Sequence, residues 1–112
     1  MNYWETLQKL VDGSEIKIDR PQGSTHPRYP EYIYSFDYGE LKGTTSQDSA
    51  GIDVWIGSES GKEVVAIINV IDQVKKDSEI KILLGCTEDD MQTILACYNR
   101  GNMSGLLIKK EV

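Results

Sequence analysis

The chain has 112 residues, 18 acidic against 12 basic, and a net charge of −6. That length suits one domain with a modest core, and 39% hydrophobic with 27% charged residues is an ordinary globular balance. The acidic balance argues against nucleic-acid binding, which needs basic surface to displace phosphate counterions, and no run of about 18 apolar residues exists to cross a membrane.

Residues 2–12 read as a short amphipathic helix. Trp4, Leu7, Leu10 and Val11 share one face at helical spacing, and Gly13 stops it. Residues 14–20 alternate Ile16 and Ile18 with polar neighbours, as a strand does. Residues 21–31 hold all three prolines and read as a loop. His26 lies there between prolines and is expected to be exposed. The aromatic run 32–36 predicts a second strand, with turns at Tyr38-Gly39 and Lys42-Gly43. Residues 44–50 are small and polar, a loop. A strand bounded by glycines follows at 51–57.

Residues 63–71 are apolar on both faces and predict a central strand. A loop at 72–78 leads to a strand at 79–84. Thr87 then caps a helix whose first turn holds Glu88, Asp89 and Asp90, with Asp90 completing a capping box. Met91, Ile94, Leu95 and Tyr98 form its apolar face, and Gly101 is expected to end it. A closing strand is expected at 105–110. Mainly short strands with two short helices, an α+β pattern, predict one domain over 1–112: a small closed β-barrel with helices packed outside.

The segment Met1 to Leu10 carries Glu5 and lacks a basic start followed by an apolar stretch, so the expected compartment is the cytoplasm. Cys86 and Cys97 are expected as free, buried thiols in that setting.

The aspartates carry the chemistry. Asp48 and Asp53 bracket the entry to one strand, and Asp72 and Asp77 bracket the loop between two others. Each pair has four residues between its members. Neighbouring strand ends in a barrel lie close together, so four carboxylates could meet at one rim. Such a cluster resists full ionisation unless a cation joins it, and magnesium takes oxygen ligands of this kind. Aspartate is also a common turn former, so the spacing alone serves both readings.

The order of these motifs resembles the soluble inorganic pyrophosphatases. Asp48-Ser-Ala-Gly-Ile-Asp53-Val54 is similar to the family signature, an aspartate-rich turn entering a barrel strand. Tyr38-Gly39 resembles the family's Tyr-Gly before it. Ile71-Asp72 and Asp77 resemble its second metal-binding pair. Ile18-Asp19-Arg20-Pro21 looks like the family's Ile-Glu-x-Pro, Arg28-Tyr29 falls where it has Lys-Tyr, and Tyr98 lies where it has a phosphate-binding tyrosine. The resemblance covers about residues 14 to 110.

It implies a shortened pyrophosphatase with an OB-like, closed five-stranded barrel. It implies several Mg2+ ions held by Asp48, Asp53, Asp72 and Asp77 with help from Asp19. Arg28, Tyr38, Tyr98 and Arg100 would bind the pyrophosphate or phosphate, with Asp53 and Tyr38 at the reacting centre. A homo-oligomer is expected, with no nucleic-acid or membrane partner. The reaction implied is hydrolysis of pyrophosphate to two phosphates by a metal-activated water.

The departures are specific. The family's water-orienting aspartate is Ala50. Glu79 stands where the family has a lysine, with Lys81 two residues on. Asn99 replaces the basic partner of Tyr98, though Arg100 follows. The segment between Arg28 and Tyr38 is short and lacks the family's arginine, and the family's final helix is missing. Two alternatives follow: a non-catalytic metal- and phosphate-binding relative, or a hydrolase of another phosphoanhydride. Should Ala50 leave the base position empty, nearby Asp37 is the first candidate to fill it.

Overall fold

The computed structural model describes residues 1–46 and 50–111. In chain order the elements are α1 (Tyr3–Asp12), β1 (Ile16–Arg20), β2 (Asp37–Leu41), β3 (Ile52–Ile56), β4 (Val64–Asp72), β5 (Asp77–Leu84), α2 (Glu88–Cys97) and β6 (Met103–Lys109). The strands form one sheet in the order β1-β2-β3-β5-β4-β6. Neighbours are antiparallel except β3 and β5, which run parallel because β5 turns back from β4 and inserts between β4 and β3.

The sheet is open, which corrects the expected closed five-stranded barrel. It has six strands, with β1 and β6 at its two edges. The face around which a barrel would close is filled from outside the sheet. Met91 and Ile94 of α2 and Tyr34 of the 21–36 loop pack there against Trp55, Ala66, Ile68, Val70 and Leu83. The opposite face carries α1, where Leu7 and Val11 meet Leu41, Val54, Val64, Ile67, Ile82 and Leu84. These apolar contacts on both faces of the central strands supply the main stabilisation.

Both helix starts are capped, that of α2 as its capping-box pattern predicts. Asn2 and Glu5 make a reciprocal box at α1, and Gly13 closes it. At α2, Thr87 Oγ accepts from Asp90 N–H at 3.1 Å and Asp90 Oδ2 accepts from Thr87 N–H at 3.0 Å. The helix ends at Cys97 with Tyr98 as its cap, earlier than Gly101.

Asp90 also accepts from Ser58 N–H at 2.9 Å and Ser58 Oγ at 2.6 Å, tying the β3–β4 connection to α2. Burial would raise its carboxyl pKa, but these hydrogen bonds outweigh burial and hold it below the ordinary value. Asp90→Asn is therefore expected to cost about 1–3 kcal/mol at pH 7. A lowered folded pKa gives stability that is present above the unfolded value, about 4, and lost as pH falls through the folded value. Denaturant unfolding at pH 7 and pH 3 should show the gap between wild type and Asp90→Asn narrowing at pH 3.

The second strand lies at 37–41, not at 32–36. Residues 32–36 supply a single bridge, Ile33 to Thr25, and fold the loop over the sheet. Gly39, expected in a turn, sits inside β2 between Ile18 and Val54. Its glycine answers a close approach of β1, not a change of direction. Lys42-Gly43 does turn, with Gly43 at φ 80°.

Candidate active site

Strand alternation sorts β5 cleanly. Ile80, Ile82 and Leu84 belong to the α1 side, so Asp77, Glu79, Lys81 and Leu83 point to the α2 side. Register does the rest. Tyr38 lies beside Trp55, Glu40 beside Asp53, Asp53 beside Lys81, and Asp77 beside Asp72. One sheet face thus gathers acids, a lysine and tyrosines from four strands.

Lys81 is the centre of this face, and the residue itself is 7% exposed. Its Nζ donates to Asp53 Oδ2 at 2.5 Å and to Glu79 Oε1 at 3.3 Å, with a longer 3.4 Å contact to Tyr38 Oη. The rings of Tyr38 and Tyr98 flank the ammonium at 6.0 and 5.8 Å. Burial works against its charge, but Tyr98, Asp53 and Glu79 together outweigh burial and raise its pKa. Lys81 is a fixed cation at every physiological pH.

Tyr98 Oη accepts from Trp55 Nε1 at 2.8 Å, which fixes its ring beneath α2. Burial raises the Tyr98 pKa well above normal, and the neighbouring Tyr38 adds to it. Burial does the same to Tyr38, reinforced by the charge of Asp53. Both hydroxyls therefore stay protonated and remain hydrogen-bond donors.

Three neighbouring hollows open from this face. A small one of about 80 Å³ lies among Asp72, Asp77, Glu79, Lys81 and Tyr98. An aromatic one of about 640 Å³ is lined by Tyr29, Tyr32, Tyr34, Tyr38, Trp55, Tyr98 and Arg100. A cleft of about 950 Å³ carries Arg28, Lys75, Arg100 and Asp72. Lys75 and Met103 line all three.

Of the residues singled out from sequence, Asp53, Asp72, Asp77, Tyr38 and Tyr98 share this face. Arg28 and Arg100 are exposed on the cleft, with the Arg100 guanidinium 5.7 Å over the Tyr32 ring. Asp72 Oδ1 accepts from the N–H groups of Val74 and Lys75, both at 3.0 Å, so it also shapes the β4–β5 turn. Asp19 stands apart. It falls at the β1 bulge and pairs with Lys17 at 3.7 Å. Asp48 lies outside the described residues.

Asp37 cannot serve as the base, because alternation turns it to the sheet face opposite Tyr38. Its Oδ1 instead accepts from Gln22 N–H at 2.7 Å and closes the loop. His26 is half-buried, not exposed: its ring lies against those of Tyr29, Tyr32 and Tyr34, and its Nδ1 accepts from the N–H groups of Arg28 and Tyr29 at 3.0 and 3.3 Å. Both cysteines are free. Cys86 is buried, with its thiol pushed up to about 12 by burial, whereas Cys97 is only half-buried.

Sequence reading missed Lys81 as the hub and Trp55 as its support. The available signal was parity, since a lysine two residues before Leu83 on a strand with apolar neighbours must enter the core.

Oxygen donors at Asp72 and Asp77 suit magnesium, which commonly takes one or two carboxylates and completes its shell with waters and substrate phosphates. At Asp53 a metal ion would compete with the Lys81 ammonium. Lys81 takes the Asp53 carboxylate, and among the described residues no three His, Cys, Asp or Glu side chains are grouped to hold a metal ion.

The fold and this face define a small α+β protein with a site of carboxylates and tyrosines fronted by arginines. The family model described as Inorganic Pyrophosphatase matches residues 2–110, so the chain belongs to the inorganic pyrophosphatase family. Its fold is similar to that of an inorganic pyrophosphatase from Neisseria gonorrhoeae, at 16% identity and a TM-score of 0.59 over 84% of this chain and 81% of that one. It is also similar to an inorganic pyrophosphatase from Coxiella burnetii, at 14% identity and a TM-score of 0.55 over 86% and 83%. At these identities the likeness is one of fold. No curated protein gives a significant match to this chain. Among the described residues, no helix is long and apolar enough to cross a membrane.

Proposed function

We propose that the chain hydrolyses inorganic pyrophosphate in a magnesium-dependent reaction. The observation that carries this reading is the shared face of Asp53, Asp72 and Asp77, opening onto a cleft that bears Arg28 and Arg100. Asp72 and Asp77 would hold the magnesium, which supplies neutralising charge and an acidified water. Arg28 and Arg100 would grip phosphate oxygens through their planar forks. Tyr38 and Tyr98, kept protonated, would donate hydrogen bonds to the same oxygens. Lys81 holds the Asp53 carboxylate in place and puts fixed positive charge under the substrate. The reading is of a cytoplasmic enzyme. It includes self-association through the β6 edge, where Leu106 and Ile108 are 64% and 41% exposed.

Phosphate release from pyrophosphate tests this. Wild type is expected to turn over only with millimolar magnesium, and Asp77→Asn to lose about 100-fold. A second reading is favoured by Ala50 and by the Lys81–Asp53 pair: binding of pyrophosphate without turnover. Pyrophosphate binding by calorimetry with no phosphate released would establish that reading and overturn the first.

A further inference from the structure

The Lys81–Asp53 pair has a consequence for how many cations this face accepts. The Lys81 side chain is 9% exposed, and those of Asp53 and Glu79 are 20% and 15% exposed. The ammonium lies 2.5 Å from one carboxylate and 3.3 Å from the other, between two tyrosine rings. The parallel register of β3 and β5 sets Asp53 opposite Lys81, so the charge is delivered by the sheet itself. A divalent ion bound to Asp53 would sit about 2 Å from its oxygen. That position is within a few ångströms of Nζ, where like charges repel and the ammonium already holds one of the two carboxylate oxygens, Oδ2.

We propose that Lys81 takes the place of a divalent cation at Asp53, so that among the described residues metal binding on this face is confined to the Asp72–Asp77 end. The chain thereby carries one of its cations covalently, fixed at all metal concentrations. In this arrangement Asp53 is a positioning residue and not a metal ligand. The proposal deepens the magnesium reading of the same face, and its test separates the two.

Manganese binding can be counted by electron paramagnetic resonance of the free ion on the intact chain. Wild type is expected to bind one ion, to lose it with Asp77→Asn and to keep it with Asp53→Asn. Lys81→Met removes the ammonium from Asp53, so it should bind one ion more than wild type. Lys81→Met with Asp53→Asn should lose that gain. In chelator, Lys81→Met should melt below wild type, and millimolar magnesium should restore more of its midpoint than of wild type's.

Loss of an ion from Asp53→Asn alone would overturn the proposal. An ion count in Lys81→Met equal to wild type would do the same. If Lys81→Met fails to fold, Lys81→Gln repeats the count with a polar side chain, and the Asp53→Asn measurement decides by itself. If wild type binds no ion while Lys81→Met binds one, the magnesium reading falls and the Lys81 proposal stands.

Discussion

Gly39→Ala is expected to destabilise the protein by about 3–5 kcal/mol, in the range of severe backbone clashes. A Cβ at this position would overlap the Lys17 carbonyl oxygen and lie 2.8 Å from its carbonyl carbon and 2.9 Å from Ile18 Cα. All three obstacles are backbone, so no side chain can rotate away. β1 would have to retreat from β2, breaking the ladder that runs from Ile16–Leu41 to Arg20–Tyr38. Tyr38, whose ring lies 6.0 Å from the Lys81 ammonium, ends that ladder, so the site should loosen along with the fold. Gly43→Ala is the control. It sits at φ 80° with nothing within 4 Å, and should cost only about 1–2 kcal/mol of left-handed strain. Urea unfolding of both variants checks the argument. Equal losses would mean that backbone freedom, and not the contact with β1, explains Gly39.

That glycine also shows where the sequence was readable. Elements whose signal is local were found. The alternation in 14–20, the apolar run of β4 and the Thr87–Asp90 box each fixed an element within a few residues, because the side chains that define it are neighbours. In sequence, a turn glycine and a contact glycine such as Gly39 look alike until the partner strand is known. The aromatic run at 32–36 satisfied the strand pattern, but its Tyr34 serves as a plug over the sheet face. The insertion of β5 beside β3 is a long-range choice that no local pattern records. The site followed the same division. Asp53, Asp72 and Asp77 were visible as spaced carboxylates. The role of Lys81 depended on a parallel register between residues 28 apart in sequence, and so stayed hidden.

Ala50→Asp is expected to raise magnesium-dependent phosphate release by about 100-fold or more, the usual worth of a positioned general base. Ala50 lies at a bend just before β3, three residues ahead of Asp53, and is exposed. Its backbone carbonyl accepts from Ser46 N–H at 2.7 Å and from Ser46 Oγ at 3.1 Å. Those bonds use main-chain oxygen, so a new side chain leaves them in place. Gly51 N–H donates to Glu40 Oε2 at 2.9 Å and anchors the next residue, so the bend is held on both sides. Alanine can neither accept a proton nor orient a water, whereas aspartate can do both. The gain must carry the signature of an ionised carboxylate. It should vanish as pH falls below about 4 and be complete by pH 6. A general increase in folding or metal affinity would instead raise the rate without that profile. Phosphate release across pH 3–8, alongside manganese binding, separates the two. An unchanged rate in a folded, metal-binding Ala50→Asp would show that this bend does not face the reacting water.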